Sequence, residues 1–306
     1  MRPRADLKGK VAVMIGGASG IGLATALRAA QEGMKVALAD ADECLLAAAL
    51  EQVKARNVGA IAVHTDIADA GSVRTLARRT EAELGPPWLV CNNSGASPFG
   101  PGWEVALAHL KWGIDVNLWG VINGVQVFAS GMVERDAGHL VNIAATDLFG
   151  IPGAASYVAT MHAIVGLSES LYRELDAIGS QVGVTVVCPA LVNTNVTSAT
   201  CDQAGARQAR PVVHSVAPCA CEVPQNVLPP GEFAEQIFAA VTVRRFWVFP
   251  HTRRMGELSS CRSDTVVGNQ GNVPTMCRAA PGVGRYAAGY NGFGTARSVT
   301  HLRKPQ

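Results

Sequence analysis

The residues with the clearest chemical consequence lie in Val11-Ala12-Val13-Met14-Ile15-Gly16-Gly17-Ala18-Ser19-Gly20-Ile21-Gly22. A short apolar run ends in glycines, and an alanine-rich helical pattern begins directly after them. Strand, glycine turn and helix in that order suit the pyrophosphate of a dinucleotide. Gly16 can turn the chain tightly, Gly20 lets backbone approach phosphate, and Gly22 lets the helix pack on the strand. The N–H groups of the helix start, at Ser19, Gly20, Ile21 and Gly22, lie at the positive end of the helix dipole, where an anion binds. An ordinary βα turn has the same outline, so residues further along the chain must decide between the two. Asp40 comes 24 residues after Gly16, at the end of the apolar run 35–40. A carboxylate there accepts hydrogen bonds from both adenosine ribose hydroxyls and repels a 2′-phosphate. The next residue is Ala41 and offers no cation. The spacing favours NAD over NADP.

These residues need a parallel sheet to hold them, and the hydrophobic pattern supplies one. Apolar runs at 10–15, 35–40, 61–64, 88–91, 140–144 and 184–189 read as strands, with a seventh expected at 245–250. Helical patterns cover 20–32, 42–56, 70–84, 104–130, 156–175 and 231–241. The helix at 70–84 stops before Gly85-Pro86-Pro87, because a residue preceding proline disfavours the helical region. Strands alternating with helices predict right-handed crossovers and an α/β fold. The expected form is a Rossmann-like, doubly wound parallel sheet of about seven strands with helices on both faces. Asp66 and Ile67, following the third strand, fall near an adenine ring in that architecture, and His64 reads as a strand-end residue. Asn117 stands inside an apolar helix, a costly choice unless its amide is hydrogen bonded.

Beyond the sixth strand the pattern breaks down, from 195 to 230. Ligands bind at that end of such a sheet, so the segment reads as a substrate lid or as disorder. Periodicity is lost again after Glu257. The expected organisation is one nucleotide-binding domain over residues 1–257 and a low-order tail over 258–306.

Composition sets limits on function. A 48% hydrophobic and 16% charged chain suits a buried parallel sheet. A net charge of +2 without a basic stripe argues against a nucleic-acid surface. No apolar run reaches membrane-spanning length and the start lacks a leader's apolar segment, so a cytoplasmic protein without a membrane partner is expected. The eight cysteines lack metal-ligand spacing, Cys219 and Cys221 being one residue apart, and no metal is expected. Cys44, Cys91 and Cys188 fall on element interiors and are expected as buried core thiols.

With Asn92-Asn93-Ser94-Gly95 after the fourth strand, the ordered set of signals over residues 8–250 resembles the short-chain dehydrogenase/reductase family. The resemblance implies that Gly16, Ser19, Gly20, Ile21 and Gly22 form the cofactor turn and that Asp40 selects NAD. It implies that Asp66 and Ile67 flank the adenine and that Asn93 belongs to the segment bracing the sheet beside the cofactor. Pro189, Val192 and Thr194 match the segment that holds the nicotinamide carboxamide. Asn117 matches the helix asparagine of a catalytic tetrad. Tyr157 matches its acid/base and counts among the cofactor contacts. Members pair through the helices holding Asn117 and Tyr157, which implies a homodimer or homotetramer.

The departures fall on the tetrad. The family's lysine, four residues after the tyrosine, is Met161, and its serine at the end of the fifth strand is Ala145. Ile15 replaces a threonine before the first glycine, and Ala190 replaces a glycine after Pro189. In the family's reaction a hydride passes between nicotinamide and a substrate carbon while the tyrosine moves the alcohol proton. An ordinary tyrosine has a pKa of about 10, and a neighbouring ammonium favours the phenolate. Met161 has neither charge nor donor, and Ala145 cannot hydrogen bond a substrate oxygen. Thr146 can substitute only if the strand has already ended, since successive strand side chains face opposite ways. Asp147 is a further candidate proton donor. His162, about 100° around the helix from Met161, does not face Tyr157 as residue 161 does.

Three functions fit these residues. One is an NAD-dependent oxidoreductase acting on a small-molecule alcohol or ketone, slowly or through Thr146 or Asp147. The second is a pseudoenzyme that keeps NAD binding. The third is a repurposed isomerase or cyclase with a structural cofactor.

Overall fold

Side chains alternate across the first strand, β1 (Val11–Ile15), and the two sets enter different cores. Ala12 and Met14 join one cluster with Ala26, Ala29, Leu46, Val53, Phe233 and Phe238. Val11, Val13 and Ile15 join another with Val73, Leu76, Phe128 and Met132. A strand buried on both faces is the mark of a parallel sheet covered by helices on each side.

The computed structural model describes residues 6–93, 95–96, 100–145, 153–189 and 228–250. One unit spans Met1–His251. The tail expected at 258–306 and most of the 195–230 segment lie outside the described residues. After β1 come α1 (Gly20–Gln31), β2 (Lys35–Asp40), α2 (Glu43–Lys54), β3 (Ala60–His64), α3 (Ala70–Glu83) and β4 (Pro87–Asn92). Then follow α4 (Leu107–Ile114), a π-helical turn (Asp115–Trp119), α5 (Gly120–Glu134), β5 (His139–Ile143), α6 (Ala155–Ala177) and β6 (Gly183–Val187). The helix α7 (Pro230–Val243) and β7 (Trp247–Val248) complete the described fold. The sheet has seven strands in the order β3-β2-β1-β4-β5-β6-β7, and every pairing is parallel.

Local chemistry sets most boundaries. Asp42 caps α2 by accepting from the Leu45 N–H at 2.9 Å, and Asp69 caps α3 through the Gly71 N–H at 2.8 Å. Pro87 takes the first position of β4, where a missing N–H is tolerated. The last strand is shorter than the run 245–250 suggests: only Trp247 and Val248 pair with β6. Phe249 instead stacks on Trp247 with ring centroids 5.2 Å apart, and Pro250 has no N–H to continue a ladder.

Two other expectations are corrected. Cys91 and Cys188 are buried, but Cys44 is exposed. Leu46, Ala49 and Val53 form the buried face of α2, and the helical period leaves Cys44 off it. The helix expected at 104–130 starts at Leu107, and the π turn interrupts it at Asn117. Leu107–Glu134 is long and apolar enough to cross a membrane by length and composition. Val121, Val125, Phe128 and Met132 in its second half are buried in clusters shared with α3, α6 and the sheet, whereas Leu107, Ile114 and Trp119 are exposed.

Candidate active site at the sheet's switch point

Strand order reverses between β1 and β4, which opens a crevice at their carboxyl ends. The glycine turn and Asn92-Asn93 meet there. Gly16 has φ +72° and Gly20 φ +53°, a region that favours glycine. The N–H groups of Gly16 and Gly17 both donate to the Ala39 carbonyl, at 2.8 and 3.0 Å. Asn93 ties the turn to β4: its N–H donates to Ile15 O and its Nδ2 to Gly16 O, each at 3.0 Å. A Cβ on Gly22 would overlap the Gly16 carbonyl and lie 2.7 Å from Asn93 Nδ2. Gly22 therefore admits the turn and Asn93, a tighter requirement than the helix-on-strand packing expected of it.

This turn delivers α1 with an open N-terminus. Ser19 makes no side-chain cap, and the first turn of α1 holds no acidic residue. Gly20, Ile21 and Gly22 thus present N–H groups that no side chain among the described residues caps, and the dipole favours an anion. Asp40 is half-buried beside them. Its Oδ2 accepts from the Ala18 N–H at 3.1 Å and its Oδ1 from the Asp42 N–H at 3.2 Å, which fixes the carboxylate next to the turn. The uncapped helix start, the glycines and an oriented acid on β2 are the parts a dinucleotide needs. Asp66 is exposed, with Oδ1 accepting from the Ala68 N–H at 2.9 Å. Ile67 is buried in the core, where it presses on Gly120, and its carbonyl accepts from Asn123 Nδ2 at 2.9 Å.

On the far side of the crevice, Asn117 is fully buried and its amide is fully engaged. Its Oδ1 accepts from the Ala96 N–H at 2.7 Å, while Nδ2 donates to Ala96 O at 2.8 Å and to Thr160 Oγ1 at 3.0 Å. These bonds remove the penalty of an amide inside an apolar helix. The π turn that holds Asn117 is a device often found at functional positions. Tyr157 lies in the first turn of α6, half-buried, against a cluster containing Ala144, Ala145, Met161, Ile164 and Cys188. Met161 is 3% exposed and Ala145 is 7% exposed. The two positions where the tetrad expects an ammonium and a hydroxyl are therefore part of an apolar floor. His162 is turned back along its own helix, its Nδ1–H donating to the Val158 carbonyl at 2.8 Å. Pro189 is buried at the end of β6. Ser94, Thr146, Asp147, Ala190, Val192 and Thr194 lie outside the described residues.

Two buried polar links have no counterpart among the sequence expectations. Asn92 Nδ2 donates to Asn142 Oδ1 at 2.8 Å, and Asn142 Nδ2 donates to Ser168 Oγ at 2.9 Å, joining β4, β5 and α6. Thr160 is the other, receiving from Asn117 and donating to the Tyr157 carbonyl at 2.7 Å. A threonine three residues after Tyr157 is the only signal the sequence offers, and a threonine in a helix is commonplace.

The comparison with known proteins bears on this geometry. A family model described as short chain dehydrogenase matches residues 10–205, from the foot of β1 past the end of β6. The chain belongs to the short-chain dehydrogenase/reductase family. Among relatives in that family, "1-deoxy-11-beta-hydroxypentalenate dehydrogenase" of Streptomyces avermitilis is 36% identical over 195 residues, 62% of this chain and 72% of that one. The protein named "Probable oxidoreductase EphD" of Mycobacterium tuberculosis is 33% identical over 201 residues, 65% of this chain. The match spans only 34% of EphD's own length. A short-chain dehydrogenase/reductase from Burkholderia phymatum, solved in complex with NAD, superposes with a TM-score of 0.80 at 32% identity, covering 89% of this chain and all of that one. The apo form of LigO from Sphingobium sp. strain SYK-6 gives a TM-score of 0.72 at 29% identity over 86% and 89% of the two chains. Membership accords with the Rossmann-like, seven-stranded parallel sheet described above.

Proposed function

We propose that the chain binds NAD(H) in the β1–β4 crevice and acts on an alcohol or ketone through a weakened catalytic centre. The observation that carries this is the contrast between its two halves: an intact phosphate turn with Asp40 beside it, and an apolar floor of Met161 and Ala145 beneath Tyr157. When bound, NAD supplies the hydride-accepting ring. The residues of the chain have separate tasks. Gly20, Ile21 and Gly22 offer N–H groups to the pyrophosphate, and Asp40 accepts from the ribose. Asn117 holds Ala96 at the rim of the crevice, and Tyr157 takes or returns the alcohol proton at its hydroxyl. Without an ammonium at position 161, Tyr157 loses the stabilisation of its phenolate. Without a hydroxyl at 145, the substrate oxygen loses a donor. Positioned acid–base catalysis is worth about 100- to 10,000-fold, and these losses remove much of it. The NAD-complexed Burkholderia structure supports the choice of cofactor.

A second reading, an NAD-binding protein without turnover, is favoured by the burial of Met161 and Ala145 in one apolar cluster. One series of variants separates the two. Met161→Lys, Ala145→Ser and the double variant are compared with wild type for NADH formation from secondary alcohols. Weak wild-type turnover, with the double variant gaining more than the product of the singles, is the expected result. A complete lack of wild-type turnover supports the second reading. Robust wild-type turnover that Met161→Lys does not raise overturns both and points to Thr146 or Asp147. Met161→Lys is also expected to lower the melting temperature, because an ammonium replaces a buried thioether.

The family resemblance further supports self-association through α4–α5 and α6. Trp119 is 51% exposed on the π turn, and Ile114 on α4 and Tyr172 on α6 are exposed as well. Light scattering at micromolar concentration is expected to give a dimer or tetramer mass, and a monomer would refute this.

A further inference from the structure

Thr160 is buried, and its hydroxyl stands between two elements far apart in sequence. The directions of its hydrogen bonds are fixed by chemistry. The Asn117 Nδ2 group can only donate, so it gives one proton to Ala96 O and the other to Thr160 Oγ1 at 3.0 Å. The Tyr157 carbonyl can only accept, so the single hydroxyl proton of Thr160 goes to it at 2.7 Å. The result is a continuous chain from Ala96 beyond the end of β4, through Asn117 in the π turn, to the backbone of Tyr157. A helical threonine often bonds back to its own helix, and such a bond by itself means little. Here the same oxygen also receives a bond from another element, 43 residues away, at a place closed to water. The first turn of α6 also lacks a side-chain cap at Ala154, so no N-cap side chain tethers it.

We propose that Thr160 is a positioning residue for Tyr157: its hydroxyl transmits the hold of Asn117 to the first turn of α6 and so sets where the tyrosine side chain stands in the crevice. The assignment rests on the reading of Tyr157 as the proton-transferring group, and it goes beyond that reading by naming what aims it. Loss of the hydroxyl removes its bond to the Tyr157 carbonyl and leaves one Asn117 N–H without its Thr160 acceptor. Both events loosen the turn that carries the ring, while Tyr172, about four turns further along α6, is left as it was.

The test observes Tyr157 directly and needs no turnover. Full-length protein is labelled with carbon-13 at the tyrosine Cζ, which gives four resonances, and Tyr157→Phe identifies the one of interest. Spectra are recorded with and without saturating NADH for wild type, Thr160→Val, Thr160→Ala and Thr160→Ser. The expected result is a single narrow Tyr157 line in wild type and Thr160→Ser. In Thr160→Val and Thr160→Ala that line broadens or splits and largely loses its response to NADH, with Tyr172 unchanged. An unaltered Tyr157 line in Thr160→Val overturns the proposal. So does equal broadening of all four lines, a Thr160→Ser protein that behaves like Thr160→Val, or failure of both Thr160→Val and Thr160→Ala to fold, since each makes the hydroxyl either idle or merely structural. If NADH leaves wild type unchanged by calorimetry, the cofactor reading fails, while the line shapes without NADH still decide the role of Thr160.

Discussion

At the residue scale, the proposed function gives Asp40 to the cofactor and leaves positions 145 and 161 without a donor or a charge. Asp40 has two tasks. In the proposed function it accepts from the adenosine ribose, and in the structure it accepts the Ala18 N–H that fixes the glycine turn. Asp40→Ala is therefore expected to weaken NAD binding about tenfold or more, the scale of a lost hydrogen bond to a charged group. NADP, which the carboxylate repels, is expected to lose less or to gain, so the gap between the two cofactors narrows. Calorimetric titration with both cofactors checks this, and tighter binding of NADP than NAD by wild type would defeat the NAD assignment. Met161 shows the opposite case. Its thioether fills a buried place among Ala145, Ile164 and Val165, so the substitution is accommodated by packing as well as silent in chemistry.

At the scale of elements, the site is set by close approach of backbone to backbone. α1 leaves β1 at an angle that brings Gly22 onto the Gly16 carbonyl, with Asn93 Nδ2 on the other side. The Gly16 carbonyl is backbone, and Asn93 Nδ2 is held by its bond to that carbonyl, so a methyl group has nowhere to go. Gly22→Ala is expected to destabilise the fold by about 1–3 kcal/mol, the usual range for overpacking a tight site. It is also expected to weaken NAD binding, because the displaced atoms are those of the phosphate turn. Urea denaturation and calorimetry measure the two effects, and an unchanged NAD affinity would remove the turn from the cofactor site. The π turn follows the same logic: one extra residue in the helical turn carries Asn117 inward, where Ala96 and Thr160 satisfy its amide.

At the scale of the whole molecule, a buried histidine links stability to pH. His139 is wholly buried at the start of β5, and burial pushes its pKa down to about 3, with Arg244 adding a smaller push in the same direction. Thr185 Oγ1 spends its proton on the Arg245 carbonyl at 2.7 Å, so His139 Nε2 must donate to it, also at 2.7 Å. That leaves Nδ1 unprotonated and, among the described residues, without a partner, facing Gly183. The unfolded chain binds a proton at this histidine below about pH 6.5, whereas the folded chain does not until near 3. Stability from this group is thus complete above about pH 6.5 and declines as pH falls, approaching about 1.4 kcal/mol per pH unit. Urea midpoints between pH 7 and 5, where ordinary carboxylates stay ionised, are expected to fall in wild type and to flatten in His139→Gln. Equal slopes in the two proteins would show that His139 is not the group responsible.

Much of this architecture is present in the order of residue types. The alternation of apolar runs with helical patterns predicts the doubly wound sheet, because a chain can bury both faces of a parallel sheet only by returning through helices. Gly16, Gly20 and Gly22 are legible because only glycine permits such backbone geometry, and the losses at positions 145 and 161 are legible because a side chain without a donor cannot supply one. What the sequence leaves undecided depends on contacts between distant segments. Cys44 lies on the side of α2 opposite the stripe of Leu46, Ala49 and Val53, and which side of this alanine- and leucine-rich helix turns inward is decided by what packs on it. Ile67 follows β3 where an adenine contact is expected, yet Gly120, 53 residues later, makes room for it in the core. The π turn, the two bonds through Thr160 and the buried pairing of His139 with Thr185 each join residues whose meeting no local pattern encodes. Local periodicity selects elements; which polar side chains meet inside is decided only when those elements pack and every buried donor must find an acceptor.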